Sequence, residues 1–216
     1  MSAAVDIGIL ELLASKICHD LISPIGAVNN GIEFLEDMGA DAGEEVTDLI
    51  SFSAGQASAR LKAYRMAYGA GGADDSIKPE EVYKAIQDIV GAEDKVKQDW
   101  DAYGDLGYGD ERPKAFCKML ICGLLLAMDS MPKGGMLRAG AGDEAGQTRI
   151  TAIGDGASIR EKSDIALSLD LPREALEPKY VHAYMTGLLG QTYGYGFSIL
   201  NAGDGQVDII ITHPPA

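Results

Sequence analysis

The chain has 216 residues, enough for one large or two small domains with a real core, and its 46% hydrophobic and 24% charged residues are ordinary for a globular protein. Its 33 acidic residues against 18 basic ones give a formal net charge of −15, which argues against nucleic acid or an anionic membrane as partner, because both need clustered Lys and Arg. The three cysteines, Cys18, Cys117 and Cys122, form no CxxC pair and have no histidine at zinc spacing, so free thiols, a reducing cytoplasm and no metal site are expected.

No basic region leads into an apolar run at the N-terminus, so no signal peptide is expected, and the apolar stretch Met119 to Met128 is too short to span a bilayer. Two long helical patterns come first, from about Ala4 to Met38 and from about Glu44 to Tyr68, joined through GADAG at 39–43. So short a loop between long helices predicts an antiparallel hairpin. Residues 69–76, GAGGADDS, lack periodicity and read as a linker. This divides the chain into domains 1–70 and 77–216.

Pro79 with two following glutamates opens a helix at EEVYKAIQDIV. Lys95 to Asp101 reads as a strand, and Pro113 to Met131 as an apolar helix ending at PKGG. Residues 136–141 and 147–153 read as a hairpin, while 164–170 fits a strand or a helix equally. Lys179 to Tyr193 is helical, and Phe197–Asn201 with Gln206–Thr212 forms a hairpin across AGDG. There are no internal repeats and no low-complexity segments. The fold class is α+β: a helical hairpin, then an α/β sandwich with a mostly antiparallel sheet and helices on one face.

Along the first helix, Leu10, Leu13, Ile17, Leu21, Pro24, Val28, Ile32 and Leu35 fall in one arc about 100° wide, the expected buried stripe. His19 projects roughly 170° from the centre of that arc and should face solvent. Ser15, Lys16, Ser23, Gly26 and Asn30 share its face and make a shallow surface on which another protein can dock. The second helix offers Val46, Leu49, Ile50, Leu61 and Tyr64, with Ser53 and Ala57 between. Two helices have too little core to stand alone, so a homodimer pairing two hairpins in a four-helix bundle is expected, with His19 on each outer face.

A lone exposed histidine on a helix carries no chemistry by itself. Its neighbours change that: His19-Asp20-Leu21-Ile22-Ser23-Pro24 resembles the H-[DE]-L-x-[ST]-P phosphoacceptor box of sensor histidine kinases. Pro24 costs roughly 3 kcal/mol inside a helix and should bend it. A neutral imidazole is a good nucleophile near neutral pH and can take a phosphoryl group as a phosphoramidate. By the resemblance, Asp20 accepts a hydrogen bond from the other ring nitrogen and fixes the tautomer. Lys16, one turn earlier, is placed either to steady a phosphoryl oxygen or simply to be solvated.

The kinase ATP boxes are present only as traces. Cys122 to Gly135, CGLLLAMDSMPKGG, resembles N-L-L-x-N-A-x-K-x-T-P-x-G-G, with Ala127, Pro132, Gly134 and Gly135 matching. Cys122 and Leu126 stand where the kinases carry asparagines, the second of which holds magnesium; leucine offers a hard cation nothing. Ala152-Ile153-Gly154-Asp155-Gly156 overlies D-x-G-x-G, with Ala152 in place of the adenine-reading Asp. Gly187, Gly190, Gly194 and Gly196 do not reproduce the Gly-rich lid. The second domain therefore resembles a kinase ATPase domain in fold only.

On KICHDLISPIGAVNNGIEFL and the degenerate PKGG segment, the whole chain resembles the ChpT-like histidine phosphotransferases of alphaproteobacteria. The resemblance implies a dimeric phosphotransferase that relays phosphoryl groups between response-regulator receiver domains, from a hybrid kinase to cell-cycle regulators, through phospho-His19 and without ATP hydrolysis. The receiver then brings the Mg²⁺, and the chain needs no cofactor of its own. Arg60, Lys62 and Arg65 are candidates to help docking, though ordinary solvated residues would look the same. His182 and His213 carry no motif and read as structural. Two other readings stay open: a non-catalytic receiver-binding adaptor, and an atypical autophosphorylating kinase.

Overall fold

A computed structural model describes residues 6–39, 43–73, 76–93, 95–109, 111–201, 203 and 205–213. The start expected at Ala4, the loop residues 40–42, residues 74–75 of the linker and residues 202 and 204 of the last turn lie outside these. Helix α1 (Ile7–Met38) starts where the Asp6 carboxylate accepts a hydrogen bond from the Gly8 N–H at 2.9 Å, satisfying one orphan donor. Arg173, far along the chain, binds the same carboxylate at 2.5 Å. The helix runs through Pro24, which is buried, and ends at Gly39 with φ 56°, where glycine is the low-cost residue. Helix α2 (Gly43–Tyr68) carries Glu44 and Glu45 in its first turn and Arg65 in its last, both favourable to the helix dipole.

The two helices pack as the expected hairpin, but the expected stripe is only partly covered. Pro24 and Gly31 are the buried residues of α1, and Gly31 lets Ile50 of α2 come so close that a Cβ would sit 2.5 Å from its Cγ1. Leu10 and Ile32, both placed in the buried arc by the sequence, are exposed, as are Leu49 and Leu61 of α2. Leu13, Ile17, Leu21, Val28 and Leu35 of the arc are half-buried, so the cover is deepest at Pro24 and the neighbouring Gly31 and thins toward Leu10 and Ile32. The buried residues of α2 are small: Ser53, Ala59, Ala63 and Ala67. The alanines recur every four residues and let α2 lie close against the rest of the molecule.

That remainder is a two-layer sandwich. Helix α3 (Pro79–Glu93) opens with Pro79, and the Glu81 carboxylate returns to the Lys78 N–H at 3.1 Å, half of a capping box. Helix α4 (Phe116–Asp129) is buried along almost its whole length. Five strands form one sheet in the order β1-β2-β3-β5-β4, with β1 (Val96–Gln98), β2 (Gly135–Ala141), β3 (Gln147–Ile153), β4 (Gly196–Asn201) and β5 (Gln206–Thr212). Only β1 and β2 are parallel. Ile150 pairs Ile209 and Ala152 pairs Val207, so the fully buried residues of both central strands face the helices, and a one-residue slip would turn them all outward. Gly123 of α4 lies against Ile150 and Ile211, where a Cβ would be 2.7 Å from the Ile150 Cδ1.

One expectation needs correction, and two segments the sequence left unspecified take definite form. The strand expected over Lys95–Asp101 is three residues long, because Trp100 turns away to stack edge-on against Tyr83 and donate to Gln98, and Asp101 then caps a turn at the Tyr103 N–H. The undecided segment 164–170 forms the short helix α5 (Ser163–Leu167) against helix α6 (Val181–Tyr193). The linker is not free chain: Ala70–Ala73 forms a 3-10 turn, and the buried Lys118 of α4 donates to the carbonyls of Gly69 at 2.8 Å and Met66 at 3.5 Å. These carbonyls lie at the C-terminal end of α2, where a cation is favourable. One core thus runs from Ala59, Ala63 and Ala67 into the sandwich.

Candidate functional site

The middle of α1 places His19 outward, with 89% of its side chain exposed. Asp20, one residue on, turns the other way: its side chain is 11% exposed and packs toward α2. The His19 Nδ1 lies 3.3 Å from the Asp20 Oδ1. A carboxylate only accepts, so Nδ1 carries the proton and Nε2 presents a lone pair to solvent. On its other oxygen, Asp20 accepts from Lys16 Nζ at 2.5 Å and from the Tyr64 hydroxyl of α2. Burial alone would raise the Asp20 carboxyl; the hydrogen bonds from Lys16 and Tyr64, the Lys16 charge and the His19 contact together outweigh it and hold the group below its usual value. Asp20 is therefore a fixed anion beside the imidazole.

On the helix that carries His19, Ser15, Ser23 and Asn30 are exposed and Gly26 is half-covered. Lys16 departs from this pattern. Its ammonium is turned to Asp20, with a quarter of the side chain exposed, because a half-buried carboxylate one helical turn away is a better partner than water. Of the three cations on α2, Arg65 is exposed, Lys62 reaches Asp88 of α3 at 3.7 Å, and Arg60 lines a small cleft. That cleft, about 80 Å³, lies behind Asp20 and is walled by Tyr64, Tyr68, Leu125, Met128 and His182.

Tyr64 is the site residue the sequence reading did not single out. It was placed in the apolar stripe of α2, and the signal it did give is general: a tyrosine inside a packing face must find its hydroxyl a partner. Behind it, Tyr68 stacks at 5.8 Å and hydrogen-bonds His182. His182 is buried, and its Nε2 lies 3.1 Å from the Cys122 carbonyl. A carbonyl only accepts, so Nε2 donates and Nδ1 accepts from the Tyr68 hydroxyl. His213 packs its ring on Tyr195 at 4.6 Å. Both rings are engaged in packing or hydrogen bonds within the fold.

Burial lowers the His182 pKa from its ordinary value, with the Asp129 charge and the Cys122 contact opposing. A folded-state value below the unfolded one means the unfolded chain binds the extra proton first. Stability from this residue is therefore complete above about pH 6.5 and is lost as pH falls below it, with a slope of at most about 1.4 kcal/mol per pH unit. Denaturant midpoints at neutral and mildly acid pH should show this loss in the wild type and a smaller one in His182→Gln. Equal slopes in the two proteins would contradict the assignment.

The positions that the resemblance to the kinase boxes singled out are packed into the core. Leu126, Cys122 and Ala152 are buried, and the hollow beside Leu126, bounded by Asp129, Ser130, Arg160 and Lys179, is only about 10 Å³. Residues 181–193, where a kinase lid would begin, form the regular helix α6, and Gly187 there is needed by packing: a Cβ would lie 2.1 Å from the Leu167 carbonyl oxygen. The glycines that survive in the degenerate boxes also serve backbone packing. Gly134 and Gly135 have φ of 89° and 151°, and a Cβ on Gly154 would lie 2.2 Å from the Gly134 oxygen. Among the described residues, no three His, Cys, Asp or Glu gather closely enough to hold a metal ion, and no helix is long and apolar enough to cross a membrane.

An outward imidazole with an anion behind it stands on a helical hairpin fused to an α/β sandwich. The chain belongs to the histidine phosphotransferase family, whose C-terminal domain model matches residues 79–205. It is 36% identical over 200 residues to the protein phosphotransferase ChpT of Brucella abortus, covering 91% of each chain. A solved structure described as a bacterial phosphotransferase aligns at TM-score 0.76 with 31% identity, covering 97% of this chain and 98% of that one. The histidine kinase AdeS of Acinetobacter baumannii aligns at TM-score 0.49 with 12% identity over 90% of this chain and 96% of its own, a likeness too slight to bear on fold or function.

Proposed function

We propose that this phosphotransferase relays phosphoryl groups between the aspartates of response-regulator receiver domains through phospho-His19, and does not use ATP. The observation that carries the reading is the exposed His19 ring, oriented by Asp20 at 3.3 Å, on a face of small and polar side chains. The Nε2 lone pair attacks the phosphorus of the receiver's acyl phosphate. The N–P bond forms as the P–O bond breaks, and the receiver's carboxylate leaves. The ring becomes a phosphoimidazolium that keeps its Nδ1 proton, and Asp20 offsets the new positive charge. Transfer to a second receiver is the same step reversed. Docking on Ser15, Ser23, Gly26 and Asn30 supplies the alignment.

The divalent cation belongs to the receiver in this reading. The donor set around His19 supports that, since the carboxylate beside it, Asp20, is already engaged by Lys16 and Tyr64. The lack of ATP use is supported by Leu126 and Ala152, which are buried in the core and offer neither a metal oxygen nor a base-reading carboxylate. Pairing of two hairpins is supported by the exposed Ile25, Ile32, Leu49 and Phe52, an apolar surface that a second copy would cover. A protein that sediments as a monomer at micromolar concentration would overturn that part. Three free cysteines fit a cytoplasmic location.

The test uses two purified receivers. A receiver carrying labelled phosphate, mixed with this protein and an unlabelled second receiver, should pass label first to this chain and then to the second receiver, with no ATP present. Binding of both receivers with label remaining on the first would instead fit the adaptor. Label entering only from ATP would fit the kinase.

A further inference from the structure

Asp20 is held from two directions. Lys16 reaches it from one turn earlier on its own helix, and such a pair is local. Tyr64 reaches the same oxygen from α2, 44 residues away in sequence. Two donors on one oxygen leave the other, Oδ1, to the His19 Nδ1. The carboxylate cannot rotate about its last bond without breaking the Tyr64 bond, so Tyr64 fixes the plane that His19 meets. Tyr64 is itself steadied by the ring of Tyr68, which is tied through His182 to the backbone of α4.

We infer that Tyr64 is a positioning residue for phosphotransfer: its hydroxyl orients Asp20, and Asp20 in turn keeps the His19 proton on Nδ1 and the reactive lone pair on Nε2. This rests on His19 being the phosphoacceptor. The phosphoryl-accepting site is then built from both helices of the hairpin. The chain Tyr64–Tyr68–His182 ties it to the second domain, which gives that domain a part in setting the acceptor without any nucleotide. Tyr64 never touches the phosphoryl group. It acts only through Asp20, and the loss of its hydroxyl should be invisible when Asp20 is already disabled.

The test is a tautomer measurement paired with a rate. In protein with ¹⁵N-labelled histidine at about pH 9, where imidazoles are neutral, the His19 ring of the wild type should be mostly protonated at Nδ1. In Tyr64→Phe, which keeps the ring and its stack on Tyr68, the population should move toward protonation at Nε2. The initial transfer rate from a phosphorylated receiver should fall about tenfold while receiver affinity stays the same. Adding Tyr64→Phe to Asp20→Asn should cost nothing more, because both remove one connected unit. An unchanged tautomer in Tyr64→Phe, or losses that multiply in the double variant, would overturn the inference. Failure of the wild type to take label would count against the relay itself, and the tautomer measurement would still decide the role of Tyr64.

Discussion

His19→Ala should lose all label from a phosphorylated receiver, to the background of the assay, while folding as the wild type does. The side chain is 89% exposed and lies against the neighbouring Asp20, so its removal opens no cavity. Removing a covalent nucleophile leaves no alternative route, because the other two histidines are committed elsewhere. His182 is buried between Tyr68 and Cys122, and His213 lies against Tyr195 at the end of β5. His19→Gln should behave the same, since an amide nitrogen has no lone pair to give. Receiver binding should survive in both variants, because the proposed docking face also includes Ser15, Ser23, Gly26 and Asn30. Persistent label on either variant would place the acceptor at another residue.

The second large effect concerns stability. Gly134→Val should destabilise the protein by about 3 kcal/mol or more in chemical denaturation. Gly134 has φ of 89°, a conformation that a β-branched residue adopts only under strain, and a Cβ would lie 2.1 Å from the Lys95 carbonyl oxygen. The obstacle is backbone, so no rotamer relieves it. Lys95 also accepts the Gly135 N–H at 2.8 Å just before β1 pairs with β2, and the clash would fall on that junction. Gly55→Ala is the matching control. Nothing lies within 4 Å of its Cβ position in α2, and the change should stabilise by about 0.5–1 kcal/mol. Equal stability of Gly134→Val and wild type would mean that these glycines are not there for packing, and the account of the degenerate boxes would fail.

The sequence carries much of this molecule, and its failures have physical causes. The long helices and both hairpins follow from hydrophobic period and turn residues, and their ends agree with the structure to within a few residues. The partner of α2 was not legible. Large apolar residues drew attention to Leu49 and Leu61, which are exposed, while Ala59, Ala63 and Ala67 do the close packing. Alanine gives almost no hydrophobic signal, yet at a spacing of four it is what allows close approach. Lys118 sits in an apolar run, where a lysine ordinarily snorkels outward; it points inward because the carbonyls at the end of α2 accept from it. His19 and Asp20 were legible because they are adjacent in sequence. Tyr64 was not, since its distance from Asp20 is set by how the hairpin closes at Gly31 and Ile50.

The most direct measurement is the chemical identity of the phosphorylated residue. The wild-type protein should be charged by a phosphorylated receiver in the absence of nucleotide, then digested and mapped. The account predicts an acid-labile, base-stable phosphate on His19, attached at Nε2. Phosphate on any other side chain, on Nδ1 of that ring, or appearing only when ATP is supplied would contradict it.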